Sequence, residues 1–101
     1  MSPVKRLSDQ EVAERLGKLP GWSAAGGRLV RTAKFASFED AIAFMARSAF
    51  EAARLDHHPD WSNSYRTVRI ELTTHEAGGL SDLDFELASR MNRIMSAFDL
   101  Q

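Results

Sequence analysis

Near the middle of the chain Val68, Ile70 and Leu72 alternate with Arg69, Glu71 and Thr73. Successive side chains of an extended segment point to opposite faces, so this run is a strand with one apolar and one wettable face. Such a strand cannot stand alone. Its backbone needs neighbouring strands, and its apolar face needs a covering layer. The chain has 101 residues, a length that fits one domain, so strand partners and cover must come from within it.

The cover is written in three helical stripes. Ser8-Asp9-Gln10-Glu11 is a capping box, followed by Val12, Leu16 and Leu19 and stopped by Pro20-Gly21. Ser37 opens a second helix, with Asp40 three residues on and an apolar stripe of Phe38, Ala41, Ile42, Met45, Ala49 and Ala52. It should end near Leu55, because His58 precedes Pro59 and the residue before a proline disfavours helix. Ser81-Asp82-Leu83-Asp84 opens a third, striped by Leu83, Leu87, Met91, Ile94, Met95 and Phe98.

The strand partners are also legible. Trp22-Ser23-Ala24, the turn Gly26-Gly27 and the run Arg28 to Phe35 read as a hairpin, with Leu29, Arg31, Ala33 and Phe35 on one parity. Trp61 to Tyr65 is a short strand before the alternating one, which Gly78-Gly79 breaks. The order is α-β-β-α-β-β-α. The natural solution is an α+β fold, an antiparallel sheet with the helices packed on one face, as a single domain over 1–101 without an internal linker. The other sheet face is polar, and the sheet edges are surfaces on which subunits can pair.

Composition removes several functions. The formal net charge is -1, which gives no basic face for nucleic acid. No apolar run approaches the roughly 20 residues of a membrane span, and the N-terminus carries no apolar signal segment, so a cytoplasmic protein is expected. There are no cysteines, hence no disulfide framework and no thiolate ligand or nucleophile.

All three histidines lie in two short segments, Asp56-His57-His58-Pro59 and Thr73-Thr74-His75-Glu76. Imidazole is the side chain whose unperturbed pKa lies closest to neutrality, so the cluster is a candidate proton-transfer site. Neighbouring side chains in an extended segment diverge, so His57 and His58 should do different jobs, and Pro59 limits the movement of His58. Plainer readings stand beside this one. A histidine pair suits a helix C-terminus, His75 fits a solvated strand end, and Asp84 fits the third helical position after the Ser81 cap. Asp56 and Glu76 can orient an imidazole or serve as surface acids, Thr73 and Thr74 bring hydroxyls, and Trp61 and Tyr65 read as packing residues, though either could form an aromatic wall for a flat ligand. Three histidines can hold zinc, but adjacent ones do not readily converge on one ion and the helical i, i+4 spacing is absent, so no metal is expected.

His57-His58-Pro59-Asp60-Trp61, Asn63, Tyr65, Val68, Ile70, Leu72, Thr74-His75-Glu76, Gly79-Leu80-Ser81, Asp84 and Leu87-Ala88 closely resemble the pterin-4a-carbinolamine dehydratases, a family also called dimerisation cofactors of a homeodomain transcription factor. The likeness is densest from Ala52 to Ala88 and extends more loosely over the whole chain. It implies a four-stranded antiparallel sheet with three helices, associating through sheet and helices into dimers and often tetramers. It implies a hydro-lyase that converts 4a-hydroxytetrahydrobiopterin to quinonoid dihydropterin, recycling the pterin spent by aromatic amino-acid hydroxylases, with no metal or redox cofactor. The family's functional histidines fall on His57, His58 and His75, its supporting acid on Asp84, and its substrate contacts on Asp56, His57, His58 and Thr73 to Glu76. His57 and His75 are expected to serve as acid and base, with His58 positioning the pterin.

Two positions depart from the family. Its frequent glutamate four residues before the first histidine is Ala53 here, and Glu51, two residues further back, lies about 200° round the helix. Its frequent cysteine two residues after the third histidine is Ala77. The alternatives to the dehydratase are a protein-docking module of the same fold with little turnover, and action on another pterin such as a molybdenum-cofactor precursor.

Overall fold

The computed structural model describes residues 4–101, so residues 1–3 of the expected domain lie outside the described part. The elements are α1 (Asp9–Leu16), β1 (Ser23–Ala25), β2 (Arg28–Lys34), α2 (Phe38–Leu55), β3 (Asp60–Ser64), β4 (Thr67–Leu72) and α3 (Asp82–Met95), with a 3-10 turn over His75–Ala77. The α-β-β-α-β-β-α order is as the sequence predicts. The four strands form one sheet in the order β1-β2-β4-β3, and every pairing is antiparallel.

Two hairpins are joined where β2 meets β4. The first turns at Gly26 (φ 60) and Gly27 (φ 74), between the paired residues Ala25 and Arg28. A two-residue hairpin turn that needs positive φ at both positions accounts for both glycines. The second turns at Tyr65-Arg66, and Tyr65 itself takes φ 51. Asn63 holds that strained turn by donating from Nδ2 to the carbonyls of Tyr65 and Thr67, each at 3.0 Å. Tyr65 is 67% exposed, which corrects its reading as a packing residue. Trp61 is partly buried against the core.

The core lies between the sheet and the helices. Leu29 and Ala33 of β2, Phe35 just beyond it and Val68, Ile70 and Leu72 of β4 are buried against Ala41 and Phe44 of α2 and Leu87, Ala88 and Met91 of α3. Phe35 stacks at a tilt on Phe44 with ring centroids 5.1 Å apart and meets Phe98 edge-on at 5.7 Å.

Helix α2 faces the core with a different arc from the one its stripe suggests. Ala41, Phe44, Ser48 and Ala52 are its buried residues, whereas Phe38 and Ile42 are 44% and 41% exposed and Ala49 also faces outward. At about 100° per residue, Ile42 sits about 100° round the helix from Ala41. The helix is apolar over two adjoining arcs, and the stripe drawn from the sequence straddled them. Its N-terminus is capped as expected, with Ser37 Oγ accepting from the Asp40 amide at 3.1 Å. Ser37→Ala should lower stability by about 1 kcal/mol, read as a shift in the urea midpoint at unchanged slope.

Three element ends meet on one side of the sheet. α2 stops at Leu55 as predicted. The immediate cause is Asp56, which takes a left-handed conformation (φ 48, ψ 46) and returns its amide to the carbonyls of Ala52 and Ala53. The His57 amide follows, donating to the Ala52 carbonyl at 3.0 Å. Beyond β4 the burial alternation runs on to Thr74, which is buried and bridges to Gly79. The intervening 3-10 turn carries His75 at the surface. α3 begins immediately afterwards at the Ser81 cap. No helix among the described residues is long and apolar enough to cross a membrane.

Candidate active site

Where α2, β4 and α3 come together, Asp56, His57, His58, Thr73, His75 and Glu76 line one open cleft of about 280 Å³, walled also by Pro59, Asp60 and Leu83. Six of the eight residues picked out from the sequence therefore share a surface. The other two, Thr74 and Asp84, are fully buried and lie behind it.

The two adjacent histidines part as an extended segment requires. His57 is buried at 8% exposure, while His58 is exposed. His57 Nε2 lies 2.6 Å from Asp84 Oδ1. The other carboxylate oxygen, Oδ2, accepts from Thr74 Oγ1 at 2.8 Å and from the Ser81 amide at 3.0 Å. Asp84 thus does both jobs the sequence left open. It completes the capping box of α3, and it holds His57.

The directions of these bonds follow from the chemistry of the groups. A carboxylate only accepts, so His57 carries its proton on Nε2 and Thr74 gives its single hydroxyl proton to Asp84. Thr74 Oγ1 must then accept in its 2.7 Å contact with Ser81 Oγ, so Ser81 donates there while its oxygen accepts from the Leu83 amide at 3.2 Å. No buried side-chain atom of His57, Thr74, Ser81 or Asp84 is left without a partner, the condition under which buried polar groups fix one geometry. With Nε2–H committed, the lone pair of the neutral ring is on Nδ1, which has no hydrogen-bond partner among the described residues. His57 is an oriented imidazole, and His58 and His75 are two exposed imidazoles on the same cleft.

In the sequence Ser81 reads as a cap and Leu83 as part of a core stripe. Their roles in the network and the cleft wall arise only once Thr74 folds back beside Ser81. At the departure positions, Ala53 is exposed and is not among the cleft-lining residues. Glu51 pairs with Arg54 and with Arg90, so it does not stand in for the missing glutamate. Among the described residues no group of three or more His, Asp and Glu side chains is arranged to hold a metal ion.

An α+β domain thus gathers three imidazoles on one cleft, with a buried carboxylate behind them, at the ends of its elements. The chain belongs to the family described as Pterin 4 alpha carbinolamine dehydratase, whose sequence profile matches residues 5–94. It is 52% identical over 93 residues to a protein of Rhodopseudomonas palustris (strain BisB18) named "Putative pterin-4-alpha-carbinolamine dehydratase", covering 90% of this chain and 92% of that one. A protein of the same name from Roseiflexus sp. (strain RS-1) is 48% identical over 90 residues, covering 89% and 97%. Among solved structures, one titled transcriptional coactivator/pterin dehydratase from Brucella melitensis superposes with a TM-score of 0.87 at 40% identity, covering 89% of this chain and 98% of that one.

Proposed function

We infer that this protein is a hydro-lyase that dehydrates 4a-hydroxytetrahydropterin to the quinonoid dihydropterin. The observation that carries the reading is the buried 2.6 Å pair of His57 and Asp84 opening onto a cleft shared with His58 and His75. His57 Nδ1 takes the proton from pterin N5. The N5 electron pair forms the N5=C4a double bond as the C4a–O bond breaks. His75 protonates the departing hydroxyl, which leaves as water, and solvent then returns each imidazole to its starting state. The reaction is redox-neutral and consumes no second substrate. His58, held by Pro59, positions the ring, and Asp56, Thr73 and Glu76 supply polar groups for the pterin edge.

Preorganised general acid–base catalysis of this kind contributes about 10²–10⁴-fold. Adding the protein to chemically generated 4a-hydroxytetrahydropterin should speed its decay, and His75→Ala should remove about 10²-fold or more of that effect. Because His75 is exposed on a 3-10 turn, that variant should keep the thermal midpoint of the parent. Undiminished turnover by His75→Ala overturns its role. In the cell the reading implies a cytoplasmic enzyme recycling the pterin of an aromatic amino-acid hydroxylase.

A second reading concerns association. Phe38, Ile42 and Phe50 on the outer face of α2 are 44%, 41% and 67% exposed, more apolar surface than a solitary helix face needs. This favours a homo-oligomer, dimer or tetramer, in which α2 packs on a copy of itself, and it is also the face a docking module would use. Ile42→Glu should lower the molar mass measured by light scattering while leaving the helical circular dichroism of the subunit intact. A mass already equal to one chain before mutation contradicts the assembly.

A further inference from the structure

The histidine cleft does not end at His75. Thr73 and His75 also wall a second hollow of about 290 Å³, closed on its other side by Gly26, Gly27, Gly78 and Gly79. The same four glycines line a third hollow of about 370 Å³ that reaches Leu7 and Arg6. Neighbouring hollows share wall residues, so the three follow one another as an interrupted groove from the imidazoles past bare backbone to the segment before α1.

Hydrogen bonds hold that groove in shape. Thr73 Oγ1 donates to the Gly27 carbonyl at 2.8 Å, tying the β1–β2 turn to the end of β4. Thr74 and Gly79 exchange backbone bonds at 3.1 and 3.4 Å, and the Leu7 amide donates to the Leu80 carbonyl at 2.8 Å. The last bond lays Arg6 over Gly79, where a Cβ would come within 3.1 Å of Arg6 Cδ. A glycine there lets the guanidinium stem lie against the groove floor.

The charges along the groove differ in how they are matched. Arg28, in the middle hollow, is matched by Asp60 at 3.0 Å and Glu71 at 4.0 Å. Arg6 has no ion-pair partner among the described residues. Asp9 shares the far hollow, but it lies in the first turn of α1, where the amide dipoles offset a carboxylate. The unmatched charge at the far end is therefore a cation with donor geometry suited to an oxyanion.

We propose that this groove is a subsite for the substituent on C6 of the pterin, and that Arg6 selects a chain ending in an oxyanion, phosphate or carboxylate. The proposal rests on the dehydratase reading. C6 is bonded to N5, so with N5 at the histidines a C6 chain starts beside the cleft, where Thr73 and His75 pass into the second hollow.

The test is a fluorescence titration of stable 7,8-dihydropterins bearing a 6-methyl group, or one three-carbon chain ending in hydroxyl, phosphate or carboxylate. Phosphate and carboxylate ends should bind about tenfold more tightly than hydroxyl, the scale of one charge-assisted hydrogen bond at an exposed site. The preference should shrink as salt is raised. Arg6→Gln should bring the ratio of charged to hydroxyl chains close to one. Ala25→Leu, which adds bulk to the groove wall on a strand of ordinary φ, should weaken all three chains relative to 6-methyl. A gain for phosphate alone still supports the subsite and assigns it to a phosphate monoester. If 6-methyl binds but all chain ends are equal, or if Arg6→Gln leaves the ratio unchanged, the subsite is overturned and the dehydratase reading stands. If none of the pterins binds, both fall.

Discussion

His57→Ala is expected to lower the turnover number for carbinolamine dehydration by about 10²–10⁴-fold, the ordinary worth of a positioned general base. The loss should appear in kcat and kcat/KM together, because the proton moves only in the transition state. Asp84, Thr74 and Ser81 fix which ring nitrogen of His57 holds its proton. No rotation or tautomer change is then required before the base acts, which is what preorganisation contributes. The variant also leaves Asp84 without its imidazole, so rates should be measured at a temperature where circular dichroism shows a folded chain. A rise in KM with kcat unchanged would make His57 a binding residue instead.

Asp84→Ala should cost about 3 kcal/mol or more of folding stability, because each buried donor left without its acceptor costs about 1–3 kcal/mol. Asp84 is fully buried and accepts from His57, Thr74 and the Ser81 amide at 2.6, 2.8 and 3.0 Å. Alanine strands all three donors at once and removes half of the α3 capping box. Urea unfolding followed by circular dichroism reads the loss directly. A cost below about 1 kcal/mol, the value of a simple cap, would mean that Asp84 only terminates a helix.

Much of the fold was legible because it rests on short-range rules. Period-two alternation located β4, paired glycines located the first turn, and Ser8, Ser37 and Ser81 located all three helix starts. The core face of α2 was not legible. Periodicity reports that a helix has an apolar side, but it does not divide that side between the core and an outer surface when both are apolar. Phe38 and Ile42 therefore joined a stripe that belongs to Ala41, Phe44 and Ala52. Tyr65 was misread for a related reason, since its place at a strained hairpin tip depends on where β3 and β4 exchange direction.

Within the site, residue types were legible and their division of labour was not. The three histidines, Asp56, Thr73 and Glu76 come together in the cleft. That Thr74 joins Asp84 instead of the cleft follows from continued strand parity past Leu72, whereas Ser81 becomes a hydrogen-bond donor to Thr74 only through the fold. The Trp22, Arg31 and Asn92 cluster shows the same limit. Asn92 Oδ1 accepts from Trp22 Nε1 at 2.8 Å and from Arg31 Nη1 at 2.9 Å. Burial pushes the Arg31 pKa down, yet Arg31 stood on the apolar parity of β2 with nothing in the sequence to say which partner would receive it. Such pairings join residues about 60 to 70 positions apart and carry no local signal.

On the dehydratase reading, the His57–Asp84 pair and His75 move protons on a pterin carbinolamine. Stopped-flow absorbance of freshly generated 4a-hydroxytetrahydropterin, mixed with catalytic amounts of the parent protein, His57→Ala or His75→Ala, tests it most directly. The parent should form the quinonoid dihydropterin fast, and both variants should run at near-background rates. Formation at the background rate with the folded parent protein, or parent-like rates with both variants, contradicts it.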